Sequence, residues 1–231
     1  MPLSIAVDGP VGAGKTTICD AVCKILGILH LDTGAMYRAV GLAAMRMGVS
    51  TDDEEKLASI LRNGLVDIDV IYENGVQVTM LNGENVNSLI RTQEAGSAAS
   101  AVSRFPAVRR HLVALQQAMA RRQSMLLDGR DIGTVVLPDA DVKIYLTASS
   151  HVRAERRQAQ LRESGTEIPF EEILREVEAR DRQDMNRETD PLRKAEDAVV
   201  VDSSDLTFDE TVALFLKIIR EAENRKTGSE S

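Results

Sequence analysis

The sequence predicts an α/β fold: a doubly wound, mainly parallel sheet with helices on both faces and a small antiparallel β insert. Three observations predict it. A strand, a glycine-rich turn and a helix follow one another within the first 26 residues; short apolar runs then alternate with helix-period segments along most of the chain; and one stretch, about 65 to 85, switches to a period of two.

Leu3 to Val7 is a buried-strand pattern, and residues about 14 to 26 repeat apolar side chains at helical spacing until Gly27 stops them. Residues 28–32 form a second strand candidate, followed by a helix from about Ala35 to Met47. Thr51-x-x-Glu54 has the form of a capping box, which predicts another helix to about Arg62. Val66, Ile68, Val70 and Tyr72 then alternate with other residues, Asn74-Gly75 signals a tight turn, and Val76, Val78 and Met80 alternate again before Asn82-Gly83. Helical periodicity resumes near Thr92, breaks at Phe105-Pro106 and runs on to Arg122. Residues 125–128, 142–147 and 198–202 are strand candidates. Between the last two lie arginine-rich helices at about 150 to 163 and 169 to 187, joined by Ser164-Gly165-Thr166. A final amphipathic helix covers about 207 to 224, and Lys226 to Ser231 reads as a frayed tail.

Composition narrows the function. A chain of 231 residues with 43% apolar and 28% charged residues has the makings of an ordinary globular core. A net charge of −8 repels polyanions, and 3% aromatic residues leave little for stacking on bases, so neither extended nucleic acid nor an anionic membrane is the expected partner. Arginine nevertheless outnumbers lysine 21 to 7, which suits bidentate capture of a small phosphorylated substrate. Cys19 and Cys23, one helical turn apart, lack the companions a zinc site needs and read as core residues. No early apolar segment is long enough to span a membrane and no signal-peptide pattern precedes the first strand, so the expected location is the cytoplasm. In the absence of a long coiled-coil repeat, the expected state is a monomer.

Gly9-Pro10-Val11-Gly12-Ala13-Gly14-Lys15-Thr16 matches G-x-x-x-x-G-K-[ST] in full, between a strand and a helix. In such a loop the backbone N–H groups turn toward phosphates, Lys15 reaches the outer ones, the Thr16 hydroxyl ligates Mg²⁺ and the helix dipole adds positive potential. The expected ligand is ATP. A guanine-reading Asn-Lys-x-Asp motif is missing, and the chain is short for a motor or transporter ATPase.

Five further stretches stand at spaced positions: Asp32-Thr-Gly-Ala-Met-Tyr-Arg38, Ile90-Arg-Thr-Gln-Glu94, Phe105-Pro-Ala-Val-Arg109, Asp128-Gly-Arg-Asp-Ile-Gly-Thr134 and Arg180-Asp-Arg-Gln-Asp-Met-Asn-Arg187. In order and over nearly the whole chain they resemble the bacterial-type cytidylate kinase family among the nucleoside monophosphate kinases. The resemblance implies one P-loop kinase domain over 1–231, with a core of 1–33, 101–150 and 188–225, a monophosphate-binding region at 34–100 that includes the β insert at 65–85, and a helical lid with its arginine-rich helices at 151–187. It implies transfer of the γ-phosphate of ATP to CMP or dCMP, aided by Mg²⁺.

Site residues follow from the same resemblance. Gly9 to Thr17 and Arg157 meet ATP, with Lys15 and Arg156 acting on the transferring group. Arg38 and Arg130 clamp the acceptor phosphate; Thr33, Arg180 and Asp184 meet the sugar; Ser100, Arg109, Asp131 and Arg187 surround the pyrimidine. Reading cytosine needs an acceptor beside a donor, which Asp131 or Ser100 and Arg109 or Arg187 supply. Arg153, Arg156 and Arg157 resemble a mobile lid that excludes water. Asp128 either holds Mg²⁺ through water or makes a structural hydrogen bond. The family commonly places Ser or Gly after the loop lysine, whereas Thr16-Thr17 presents two hydroxyls, so the choice of metal ligand between them stays open. The β insert is either a substrate-gripping flap or a plain elaboration.

Overall fold

The computed structural model describes residues 2–163 and 165–228. In chain order the elements are β1 (Ser4–Asp8), α1 (Lys15–Leu26), β2 (Leu29–Asp32), α2 (Thr33–Arg46), α3 (Glu54–Arg62), β3 (Ile68–Glu73), β4 (Val76–Leu81), β5 (Glu84–Asn85), α4 (Gln93–Val102), α5 (Pro106–Ala120), β6 (Met125–Gly129), a π-helical turn (Ile132–Val136), β7 (Val142–Thr147), α6 (Ser150–Glu163), α7 (Phe170–Asn186), β8 (Val199–Asp202) and α8 (Phe208–Gly228). The main sheet has the order β2-β6-β1-β7-β8, and β3-β4-β5 form a separate sheet. The α/β class with an antiparallel insert is as the sequence predicts. The chain divides into two compact units, Leu3–Ile28 with the chain from Leu126 onward, and Leu29–Met125.

In the first unit β1 pairs with β7 and β7 with β8, both parallel, in the registers Val7↔Ile144 and Leu146↔Val201. Ile5, Val7, Leu126, Ile144, Leu146 and Val201 from the strands share one core with Ile18, Cys19 and Val22 of α1 and with Phe215 and Ile219 of α8. Cys19 and Cys23 are buried thiols in this core, where burial raises both, Cys23 to about 12. Helices α6 and α7 pair through a smaller cluster of Ala154, Leu161, Ile173 and Val177.

The second unit holds the antiparallel insert. Strands β3 and β4 pair from Ile68↔Leu81 to Glu73↔Val76 across Asn74-Gly75, and Asn82-Gly83 turns the chain into β5. Both turns have positive φ at both central residues, the conformation that Asn-Gly favours in hairpins. Helices α2 and α4 approach so closely that a Cβ built on Gly41 would lie 2.7 Å from the Ala98 Cβ. Gly41→Ala should therefore destabilise the chain by about 1–3 kcal/mol in urea unfolding, the usual cost of overpacking; an unchanged midpoint would contradict this packing.

Some boundaries differ from expectation. Asp53, not Thr51, caps α3, its carboxylate accepting from Lys56 N at 3.1 Å, because Asp53 is the residue adjacent to the first turn. Helix α2 begins at Thr33, two residues early, because Asp32 caps it by accepting from Ala35 N. Helix α8 continues through Lys226 to Gly228; the rest of the expected tail, 229–231, and Ser164 in the lid joint lie outside the described residues. No helix among the described residues is long and apolar enough to cross a membrane.

Candidate active site

Strand β1 delivers the chain into the glycine loop at Gly9, where a Cβ would stand 1.9 Å from the Leu146 carbonyl oxygen, so no other residue fits. Gly14, at φ +87°, starts α1 and places Lys15 in its first turn. The Lys15 ammonium folds back to donate to the carbonyls of Gly9 at 2.8 Å and Pro10 at 2.9 Å. Arg153 Nη1 donates to Val11 O at 2.9 Å and Arg156 Nη1 to Ala13 O at 3.4 Å. Four carbonyls that would repel a phosphate are thus engaged by cationic groups, an arrangement that fits a bound triphosphate. Burial, and next the Arg130 charge, lower Lys15 to about 7.

Thr16 Oγ1 donates to Asp128 Oδ2 at 3.1 Å, at the end of β6. This bond distinguishes Thr16 from Thr17. Among the described residues no group of three or more His, Cys, Asp or Glu side chains could hold a metal by itself. One hydroxyl and one carboxylate beside a phosphate loop fit Mg²⁺, which keeps most of its shell as phosphate oxygens and water.

Beyond β6 the arginines rest on aspartates. Arg130 Nε donates to Asp184 Oδ2 at 2.7 Å, and Arg180 Nε lies 3.5 Å from the other oxygen of the same carboxylate. Arg187 Nη2 donates to Asp131 Oδ1 at 3.3 Å, and its Nε donates to Asp190 O at 2.6 Å. Burial pushes Asp184 up, yet Arg130 and then Arg180 outweigh it and hold the carboxyl below its ordinary value. Three guanidinium groups share these two carboxylates, a fixed set of N–H donors of the kind that binds phosphate oxygens.

Asp8, the last residue of β1, carries no motif that singles it out. Its carboxylate accepts from Ile132 N at 2.7 Å and Gly133 N at 2.8 Å and so fixes the π-helical turn that follows Arg130 and Asp131. Burial, opposed by these two donors, pushes Asp8 up to about 7.

The second unit carries the remaining candidates. Arg38 Nη2 donates to Asp32 Oδ2, and the Arg38 Nε is buried with no hydrogen-bond partner among the described residues. Thr33 is buried at the start of α2 and Ser100 on α4. Arg109, only 2% exposed on α5, donates to Ser103 O at 3.3 Å and lies over the Tyr37 ring at 5.7 Å.

The lid arginines divide. Arg153 is buried and forms a two-point ion pair with Asp181, at 3.1 and 2.6 Å, so it braces α6 against α7 as well as the loop. Arg156 also donates to Ser203 O at 2.7 Å, whereas Arg157 makes an exposed bond to Gln160 at 2.9 Å.

The family model described as Cytidylate kinase matches residues 5–221. The chain belongs to the cytidylate kinase family. It is 45% identical over 221 residues to a cytidylate kinase of Caldicellulosiruptor saccharolyticus, covering 94% of this chain and 97% of the relative. It is 45% identical over 217 residues to that of Pasteurella multocida, covering 94% and 95%. A solved structure of an uncharacterized protein from Eubacterium ventriosum is similar in fold alone, with a TM-score of 0.50 at 10% identity over 94% of this chain and 98% of that one.

In this cytidylate kinase family member the phosphate loop, Asp128, Arg130, Asp131, Arg156, Arg180, Asp184 and Arg187 belong to one compact unit, and Thr33, Arg38, Ser100 and Arg109 to the other. The carboxylates Asp8, Asp32 and Asp181 are among what sequence reasoning missed. For Asp32 a signal existed, since an Asp just before an apolar helix is a cap candidate.

Proposed function

We propose that the chain transfers the γ-phosphate of ATP to CMP or dCMP, giving ADP and CDP or dCDP. A nucleotide monophosphate is largely dianionic at neutral pH, since its second pKa is near 6, so its oxygen attacks in line without a protein base. The work left to the protein is to bring two anions together and to spread cationic groups over the moving phosphoryl group. The observation that carries this reading is the paired stock of arginines on aspartates, Arg130 on Asp184 and Arg187 on Asp131, in the same unit as a complete phosphate loop.

In this reading the loop from Gly9 to Thr17, with Lys15 and Arg157, holds ATP. Thr16, with Asp128 through water, would hold Mg²⁺, which when bound neutralises charge on the phosphate oxygens. Arg38 and Arg130 take the acceptor phosphate and Arg156 the transferring group. Thr33, Arg180 and Asp184 meet the sugar, while Ser100, Arg109, Asp131 and Arg187 read cytosine. The substrates are small nucleotides, and the protein works as a cytoplasmic monomer on pyrimidine nucleotides. A carboxylate or hydroxyl acceptor for the exocyclic amine beside an arginine donor leaves uracil mispaired, which costs affinity in a buried site.

Coupled measurement of ADP release against CMP, dCMP, UMP and AMP tests the reading. CMP and dCMP should be preferred over UMP by about 10²-fold or more in kcat/KM. Equal turnover of UMP would remove the cytosine assignment, and no acceptor-dependent ADP would remove the kinase reading.

A further inference from the structure

Strand β4 of the insert sends one side chain, Gln77, onto the backbone of Asp32. Its Oε1 accepts from Asp32 N at 2.7 Å, and its Nε2 donates to Asp32 O at 3.3 Å and to Thr79 Oγ1 at 3.2 Å. Gln77 is itself held: Asn87 Nδ2 donates to Gln77 O at 2.9 Å, and Asn87 Oδ1 accepts from Thr79 N at 2.9 Å. Directly across the hairpin from Gln77, Tyr72 Oη of β3 adds a second grip by donating to His30 O at 2.9 Å. Both His30 and Asp32 belong to β2, so the insert holds that strand at alternate residues.

One amide that engages both the N–H and the C=O of Asp32 fixes the direction in which the Asp32 carboxylate leaves the backbone. That carboxylate caps α2 through Ala35 N and carries Arg38, whose Nε remains buried and unpartnered among the described residues. A buried, unsatisfied guanidinium N–H is costly unless it waits for an anion. The chain of contacts therefore runs from Asn87 to Gln77, to the Asp32 backbone, to the Asp32 carboxylate and to Arg38, all within one compact unit.

We propose that Gln77 is a positioning residue, through which the antiparallel insert orients Arg38 toward the acceptor phosphate. This rests on the reading of Arg38 as an acceptor-phosphate ligand. It gives the insert a role distinct from touching the nucleotide: it braces the arginine that does.

The test uses Gln77→Met, which keeps the length and loses the hydrogen bonds, and Gln77→Glu, which keeps the acceptor for Asp32 N. Each is made in the full chain and in an Arg38→Met background. Gln77→Met should raise the KM for CMP about tenfold, the effect of losing one to two such bonds, while the KM for ATP stays within about twofold. Gln77→Glu should recover only part of the loss, because it keeps the bond from Asp32 N but has no donor for Asp32 O. With Arg38 already replaced, Gln77→Met should add almost nothing, because its effect passes through that side chain. An equal rise in both KM values, or a full additional loss in the Arg38→Met background, would overturn the proposal and leave Gln77 a merely structural residue.

A second readout needs no turnover. The Arg38 Nε–H resonance, assigned by its loss in Arg38→Met, should be sharp and slow to exchange in the unmodified chain and broadened in Gln77→Met. An unchanged resonance in Gln77→Met contradicts the brace whichever nucleotide is the acceptor. If instead the resonance responds as expected and no monophosphate is turned over, the brace stands and the kinase reading fails.

Discussion

Arg130→Met should lower kcat/KM for CMP by about 10³-fold or more, the scale expected of an arginine that neutralises a transferring phosphoryl group. The same change should destabilise the fold. Arg130 donates to Asp184 at 2.7 Å, and Asp184 is 3% exposed, so removing the guanidinium leaves a buried carboxylate with the longer Arg180 contact at 3.5 Å. The expected cost is about 1–3 kcal/mol in chemical unfolding. The two effects separate by adding Asp184→Asn, which removes the orphaned charge: stability should return while CMP turnover does not. Its pH dependence has a definite sign. The carboxyl of Asp184 is held below its ordinary value of 3.8 in the folded chain, so its contribution is full above that value and fades as pH falls through the lower, folded one. The stability gap between the unmodified chain and Arg130→Met should shrink over that acid range. A gap that widens in acid would contradict the assignment, and so would unaltered CMP turnover.

Lys15→Met should share the loss of activity but shift stability the other way. Loss of the cation over the outer phosphates should reduce kcat by about 10³-fold. The fold should gain stability, by about 1–2 kcal/mol near neutral pH, since a buried lysine is tolerated for function rather than for folding. Burial lowers Lys15 from 10.5 to about 7. The unfolded chain therefore binds the proton more readily, and the penalty on the fold is full below pH 7 and disappears as pH approaches 10.5. Lys15→Met should accordingly gain more over the unmodified chain at pH 6 than at pH 9.5. The lost bonds to Gly9 O and Pro10 O offset part of the gain. Lower stability at both pH values would show that Lys15 holds the loop together, contrary to this account.

Local chemistry made much of the fold legible. The phosphate loop, the Asn-Gly turns of the insert, the strand runs and the arginine-rich helices are written in neighbouring residues, and each appears where spacing places it. What stayed hidden depends on distance along the chain. Asp8 reads as the end of an apolar strand, and its partners Ile132 and Gly133 are 124 and 125 positions away. The π-helical turn they anchor has no period of its own in the sequence. Arg153 looks like one of several charges on a solvated helix, yet it is buried because Asp181 meets it from α7, 28 positions on. Gln77 sits at an ordinary alternating position, and only the approach of β4 to β2 gives its amide a purpose. The candidate site shows the same division: its motifs announce the arginines together with Asp131 and Asp184, whereas the pairing of each arginine with its carboxylate emerges only from packing.

In the proposed reaction one chain holds a donor triphosphate and an acceptor monophosphate together and passes a phosphoryl group directly between them. A rapid-quench experiment with ATP labelled at the γ-phosphate, excess enzyme, Mg²⁺ and CMP addresses it most directly. Label should move from ATP into CDP in a single phase, with none retained on protein at any time. Label on the protein before CDP appears, or label released only as inorganic phosphate whether or not CMP is present, would contradict the account.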